Sequence, residues 1–189
     1  IITSIGIYAY SISIITNYII DGEFAKHLKL YRLNKEIQKL ENHVVVCGYG
    51  RNGKEVCAEL TAHHQSFVVI ENSIPVIASI SAEMKEILIV EGDATKDETL
   101  VMAGIQKAKA LITALPNDAD NVYVVLTARE MNSDLLIISR ASDDASDKKL
   151  RRAGANNVIM PDKIGGSQMA SLVVKPDVIE FIDYITGAG

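Results

Sequence analysis

Residues 48–53 read GYGRNG, and a glutamate follows at position 71. Three glycines in six positions carry a heavy entropic penalty on folding, so the backbone there must do something only glycine allows. The stretch before them, HVVVC at 43–47, has the composition of a buried strand. After them Gly53, Val56, Cys57 and Leu60 recur at helical spacing. A glycine-rich turn from strand into helix is a cradle for phosphate. Gly48 permits the tight turn, Gly50 lets the backbone approach a pyrophosphate, and Gly53 lets helix and strand pack closely. The free N–H groups and dipole at the helix start favour an anion. Arg51, in the loop with Tyr49 and Asn52, is unfavourable at that helix end unless an anion compensates it; the alternative is an ordinary surface arginine.

Glu71 ends the second apolar run, eighteen positions after Gly53. An acidic residue there can accept hydrogen bonds from ribose hydroxyls, and it would repel a 2′-phosphate. NAD(H) or an adenine nucleotide (ADP, ATP or AMP) is therefore the expected cofactor, with NADP disfavoured. Asp93, next to Ala94 after the third run, either flanks the adenine or caps its own turn.

These residues need a frame, and the alternation of apolar runs supplies one. Strands are expected at 43–47, 67–71, 87–90, 109–115, 135–140 and 157–160, each near-continuously hydrophobic as in a sheet covered on both faces. Helix-length segments separate them. Thr95-Lys-Asp-Glu98 reads as a capping box, Ser142 followed by Asp143 and Asp144 opens another helix, and Gly104 and Gly154 each close one. The fold class is α/β, a Rossmann-like doubly wound parallel sheet of about six strands.

Around this core the composition changes. Residues 1–20 carry no charge and would span roughly 30 Å as a helix, about one hydrocarbon thickness. A transmembrane helix is expected there, with a solvent-shy strand or a tag-like extension as the alternative. Beginning at isoleucine, the sequence is expected to be part of a longer chain. Residues 21–42 hold Lys26, Lys29, Arg32, Lys35 and Lys39, which mark the cytoplasmic end of a span or, since Asp21, Glu23, Glu36 and Glu41 nearly balance them, a solvated helix face; Leu30, Leu33, Ile37 and Leu40 recur at helical spacing. Beyond 161, the small-residue segment 164–170 suits close helix packing. Pro176 and Asp177 then introduce a stripe of Val178, Phe181, Ile182 and Ile185 that suits dimerisation, the alternative being that it folds back onto its own sheet.

The whole-chain properties weigh against several classes. A net charge of −5 argues against a non-specific nucleic-acid binder. Cys47 and Cys57 fall in apolar positions, which makes them buried thiols rather than a disulfide framework. An NAD-dependent oxidoreductase needs an acid–base residue near the nicotinamide. His27, His43, His63 and His64 all precede the later strands, where such a group belongs. Asp143, Asp144 and Asp147 raise the thought of a cation, but helix capping explains them more simply.

In order, GYGRNG, VIE, EGDAT and ITALPND resemble the RCK (KTN) domains that regulate potassium channels and transporters. The resemblance runs from His43 to about Pro161, and the uncharged segment and basic connector before it are similar to the pore-lining helix and linker of prokaryotic channels of this type. It implies a cytoplasmic nucleotide-sensing domain, not an enzyme, that gates a potassium pore in the cell (inner) membrane. The regulatory domain of a potassium transporter or antiporter is the first alternative, and an NAD-dependent oxidoreductase fragment the second. It implies an organisation of 1–20 as the end of a pore-lining helix, 21–42 as a linker, 43–161 as the Rossmann-like lobe and 162–189 as crossover and dimerisation helices. It implies that Gly48, Tyr49, Gly50, Arg51, Asn52, Gly53, Glu71, Asp93, Ala94 and Thr113 line the ligand. Homo-oligomerisation, with a dimer through 164–185, membrane attachment through 1–20 and a pore domain upstream follow from the same likeness. No TVGYG-type filter is present, so these residues alone would not conduct ions.

Overall fold

Six short apolar runs become six parallel strands. The computed structural model describes residues 23–83 and 87–174, with Gly6 and Tyr10. The chain divides into two units, 1–40 and 41–189. Within the first, α1 spans Glu23–Lys39. The uncharged run 1–20 lies outside the described residues apart from Gly6 and Tyr10, and among the described residues no helix is long and apolar enough to cross a membrane.

In the second unit the order is β1 (Val44–Cys47), α2 (Arg51–Ala62), β2 (Phe67–Glu71), α3 (Ile74–Glu83), β3 (Leu88–Glu91), α4 (Asp97–Met102) and a 3-10 turn at Ile105–Lys107. Then follow β4 (Ala110–Thr113), α5 (Asp118–Met131), β5 (Leu136–Arg140), α6 (Asp144–Ala153), β6 (Asn157–Ile159) and α7 (Pro161–Val174). The strands lie in the order β3-β2-β1-β4-β5-β6. This is the doubly wound arrangement in which the direction of winding reverses between β1 and β4. Val44 pairs with Phe67 of β2 on one side and Ala110 of β4 on the other, so β1 is the central strand at the reversal.

Strand alternation distributes the core over both faces. Val44, Val46 and Val69 are buried with Cys57 of α2 and Ile80 of α3, and Val56 and Leu60 pack against that cluster. Val45, Leu111 and Ile137 alternate to the opposite face and are equally buried, as are Val124, Val125 and Ala128 of α5.

Local chemistry differs from the sequence expectation at three places. The run 109–115 yields a strand of only four residues, because Leu115 is pulled out of the ladder by the side chain of Asn121. Thr95 does not cap α4: its N–H and hydroxyl both donate to Asp93, and Lys96 occupies the N-cap without a side-chain bond. The cap of α6 is Asp143, which accepts from the Ser146 N–H, while Ser142 donates to Asp118. Gly104 (φ +73) and Gly154 (φ +112) do close their helices in the left-handed region. The stripe at 178–185 lies outside the described residues. Among those described, α7 buries none of its own residues.

Candidate nucleotide-binding site

At the end of β1 the backbone turns through Gly48, whose φ of +89° places it where side chains are strained. Its N–H still donates to the Ile70 carbonyl at 2.9 Å, so the β1–β2 ladder continues one residue into the loop. Gly50 then stands at the N-cap of α2 and makes no side-chain cap, and the first turn of α2 contains no acid. The helix therefore presents its N–H groups and the positive end of its dipole uncompensated. Arg51, exposed at the first helical position, adds to that positive field. A Cβ on Gly50 would meet nothing within 4 Å, so this edge of the loop is open. A Cβ on Gly53 would lie 1.9 Å from the Gly48 carbonyl oxygen. Helix and loop touch there through backbone alone, as the glycine spacing predicts.

Glu71 closes the other side of the loop. Its Oε2 accepts from the Tyr49 N–H at 2.8 Å, and its Oε1 accepts from the N–H groups of Asn72 and Ser73, both at 2.9 Å. The carboxylate ties the glycine loop to the end of β2 and keeps acceptor capacity on Oε2. Asp93 adopts the turn-capping alternative: Oδ1 accepts from the Thr95 N–H at 2.9 Å and its hydroxyl at 2.8 Å. The Thr95 backbone bond, then its hydroxyl bond, hold the Asp93 carboxyl below its ordinary range, aided by Lys96.

These elements enclose a cleft of about 490 Å³ above the C-terminal ends of the strands. That is the size of a small-ligand site, at the switch point where doubly wound sheets bind ligands. Gly48, Tyr49, Gly50, Arg51, Asn52, Glu71, Asp93 and Ala94 all line it. Gly53 and Thr113 do not. Gly53 supports the loop from below, and the Thr113 side chain is fully buried with its hydroxyl donating to the Asn121 side chain.

The structure adds residues that the motif does not contain. Asn121, fully buried on α5, accepts from the Leu115 N–H at 3.1 Å and donates to the carbonyls of Leu115 at 3.0 Å and Arg140 at 3.4 Å. It fixes the Ala114–Pro116 wall of the cleft with every polar atom used. A polar residue among the buried Val124, Val125 and Ala128 positions of one helix was the available signal. Asp120 and Arg140 complete the wall. The three aspartates of α6 serve separate purposes: Asp143 caps, Asp144 pairs with Lys163 at 2.8 Å, and Asp147 pairs with Arg151 at 3.1 Å.

The chain is similar over 179 residues, 94% of its length, to a probable potassium channel protein of Methanocaldococcus jannaschii, at 38% identity. It spans about half of that relative, 52%. Among solved structures, the TrkA-N domain of the inner membrane protein YbaL from Escherichia coli superposes with a TM-score of 0.66 at 31% identity, covering 71% of this chain and 98% of that one. The GsuK protein bound to ADP superposes with a TM-score of 0.61 at 26% identity, covering 76% of this chain and 38% of that one. The pattern of the TrkA-N domain matches residues 44–161, from the first residue of β1 to the first of α7. On fold, glycine loop and extent of match together, this chain belongs to the TrkA-N domain family.

Proposed function

We propose that residues 43–161 form a nucleotide-sensing regulatory domain of a potassium channel and that the cleft holds NAD(H) or an adenine nucleotide. The observation that carries this reading is the open, acid-free N-terminus of α2 facing the same cleft as the Glu71 carboxylate. One end of the cleft suits phosphate and the other suits ribose hydroxyls. A relative described as bound to ADP supports the ligand class. Gly48, Tyr49, Gly50, Arg51, Asn52, Glu71, Asp93 and Ala94 contact the ligand in this reading; Gly53 and Thr113 act from behind the wall.

A channel is preferred to a transporter because the similarity to the M. jannaschii protein covers 94% of the chain, and so extends into the residues before the sheet. Residues 1–20 then enter the membrane, 21–42 connect, and the sheet unit lies on the cytoplasmic side without catalytic duty. Dimerisation through 164–185 is supported by α7, where Ile164, Met169 and Leu172 are all more than half exposed. Ligand binding shifts the assembly between arrangements, and a coupling of roughly 1–3 kcal/mol per site over several subunits suffices to change opening. Potassium flux through the full-length protein in liposomes tests this. Gly50→Val should abolish the response to nucleotide and leave basal flux; a retained response would remove the cleft from the mechanism.

A further inference from the structure

Arg140 ends β5 and its side chain reaches two places at once. It lines the nucleotide cleft beside Leu115 and Pro116, and it also lines the adjoining apolar groove with Ile159 and Pro161, at the start of α7. Its Nη1 donates to the carbonyl oxygens of Leu115 at 3.1 Å and Pro116 at 3.3 Å. Its Nη2 lies 3.7 Å from Oδ2 of Asp162, in the first turn of α7, an ion pair longer than a hydrogen bond. Its Nε is buried and has no hydrogen-bond partner among the described residues. A guanidinium carries five donors. Here the side chain is only 16% exposed, and among the described residues its hydrogen bonds are made by Nη1.

Nε, which has no partner among the described residues, and Nη2, which has only the loose ion pair to Asp162, share one edge of the guanidinium plane. With Nε buried and Nη2 turned to Asp162, this edge meets a phosphate in the cleft only when the guanidinium swings away from Asp162; it then fits two oxygens of a single phosphate, and such bidentate pairs are shorter and stronger than a loose ion pair. Asp162 is a poor competitor, because it is 79% exposed and water screens its charge. Helix α7 in turn has little else to hold its first turn. It buries no residue among those described, and its other ion pair to the sheet unit is Lys163 with Asp144 at 2.8 Å.

We propose that Arg140 is a relay: a phosphate group in the cleft takes the Nε–Nη2 edge, Arg140 releases Asp162, and the first turn of α7 is freed from the end of β5. This rests on the reading of the cleft as a nucleotide site and specifies how occupancy reaches the helix that leads to the assembly segment. Asp162 is then a built-in competitor of the ligand. Removing it strengthens ligand binding and loosens α7 in advance.

The test uses the full chain with ADP as probe, calorimetry for affinity and amide hydrogen exchange over residues 164–172 for the state of α7. ADP should raise exchange over that segment in the parent. Asp162→Asn should bind ADP about two- to five-fold more tightly, the range expected for loss of one exposed ion pair. Its α7 should exchange fast with or without ADP. Asp144→Asn removes the other ion pair and should keep both the parental affinity and the response to ADP. Arg140→Gln should weaken ADP binding and abolish the response. If the parent binds ADP but Asp162→Asn matches it in affinity and in exchange response, the relay is overturned and the nucleotide site stands. If the parent binds no ADP, the nucleotide reading fails and the relay falls with it.

Discussion

The backbone N–H of Tyr49 lies 2.8 Å from Oε2 of Glu71, twenty-two residues further along the chain. The same carboxylate that faces the cleft thus holds the glycine loop in place before any ligand arrives. Glu71→Gln would set an amide N–H₂ against at least one backbone N–H. Each bond to a charged acceptor contributes roughly 1.5–3 kcal/mol, so a loss of about 1–3 kcal/mol of stability is expected, read by chemical denaturation. An unchanged denaturation midpoint would mean that the carboxylate does not organise the loop.

Two glycines of the loop should respond in opposite ways. A Cβ at Gly53 meets the Gly48 oxygen at 1.9 Å, so Gly53→Ala must push α2 off the loop. Overpacking of this kind costs about 1–3 kcal/mol or more. A Cβ at Gly50 meets nothing, so Gly50→Val should fold with little change in melting temperature and lose ligand by filling the cleft edge. Melting curves of the two variants side by side decide this; equal destabilisation would contradict the assigned roles.

Alkaline pH should weaken the fold through its thiols. Burial pushes Cys47 and Cys57 up from 9.0 to about 12. The folded state therefore keeps both neutral where the unfolded chain ionises. The stabilisation is complete below pH 9.0 and is lost as pH rises toward about 12. Denaturation midpoints at about pH 8 and about pH 10.5 should fall more steeply in the parent than in the Cys47→Ala, Cys57→Ala double variant. Equal slopes would show that other groups carry the alkaline effect.

If the proposed dimer forms through 164–185, Phe181→Asp with Ile182→Asp should place charge in it and yield monomers. Light scattering on a soluble form beginning near Glu41 reads this out. A double variant that stays dimeric would put the assembly surface elsewhere.

The half of the site built from β1, α2 and β2 was legible because its residues lie within twenty-four positions, 48 to 71, and their spacing encodes the turn. Arg140, which lines the cleft, and Asn121, which holds its wall from behind, were not legible, because they come to the site only when β4 and β5 pair beside β1. The resemblance to RCK domains implies that Thr113 lines the ligand. Asn121, a polar group on the buried side of α5, captures its hydroxyl instead. Likewise the pattern T-x-x-E at 95–98 encodes a capping box only if the threonine is free, and Asp93 two residues earlier takes both its N–H and its hydroxyl. Spacing reads local backbone devices well. It does not rank competing acceptors for one hydroxyl.

That the cleft takes phosphate at α2 and unphosphorylated ribose at Glu71 is tested directly by titration calorimetry of the parent chain with NADH, ADP and NADPH. NADH and ADP should bind, and NADPH should bind at least about ten-fold more weakly, a difference of about 1.4 kcal/mol from carboxylate–phosphate repulsion. Equal affinity for NADH and NADPH, or no binding of any of the three, would contradict it.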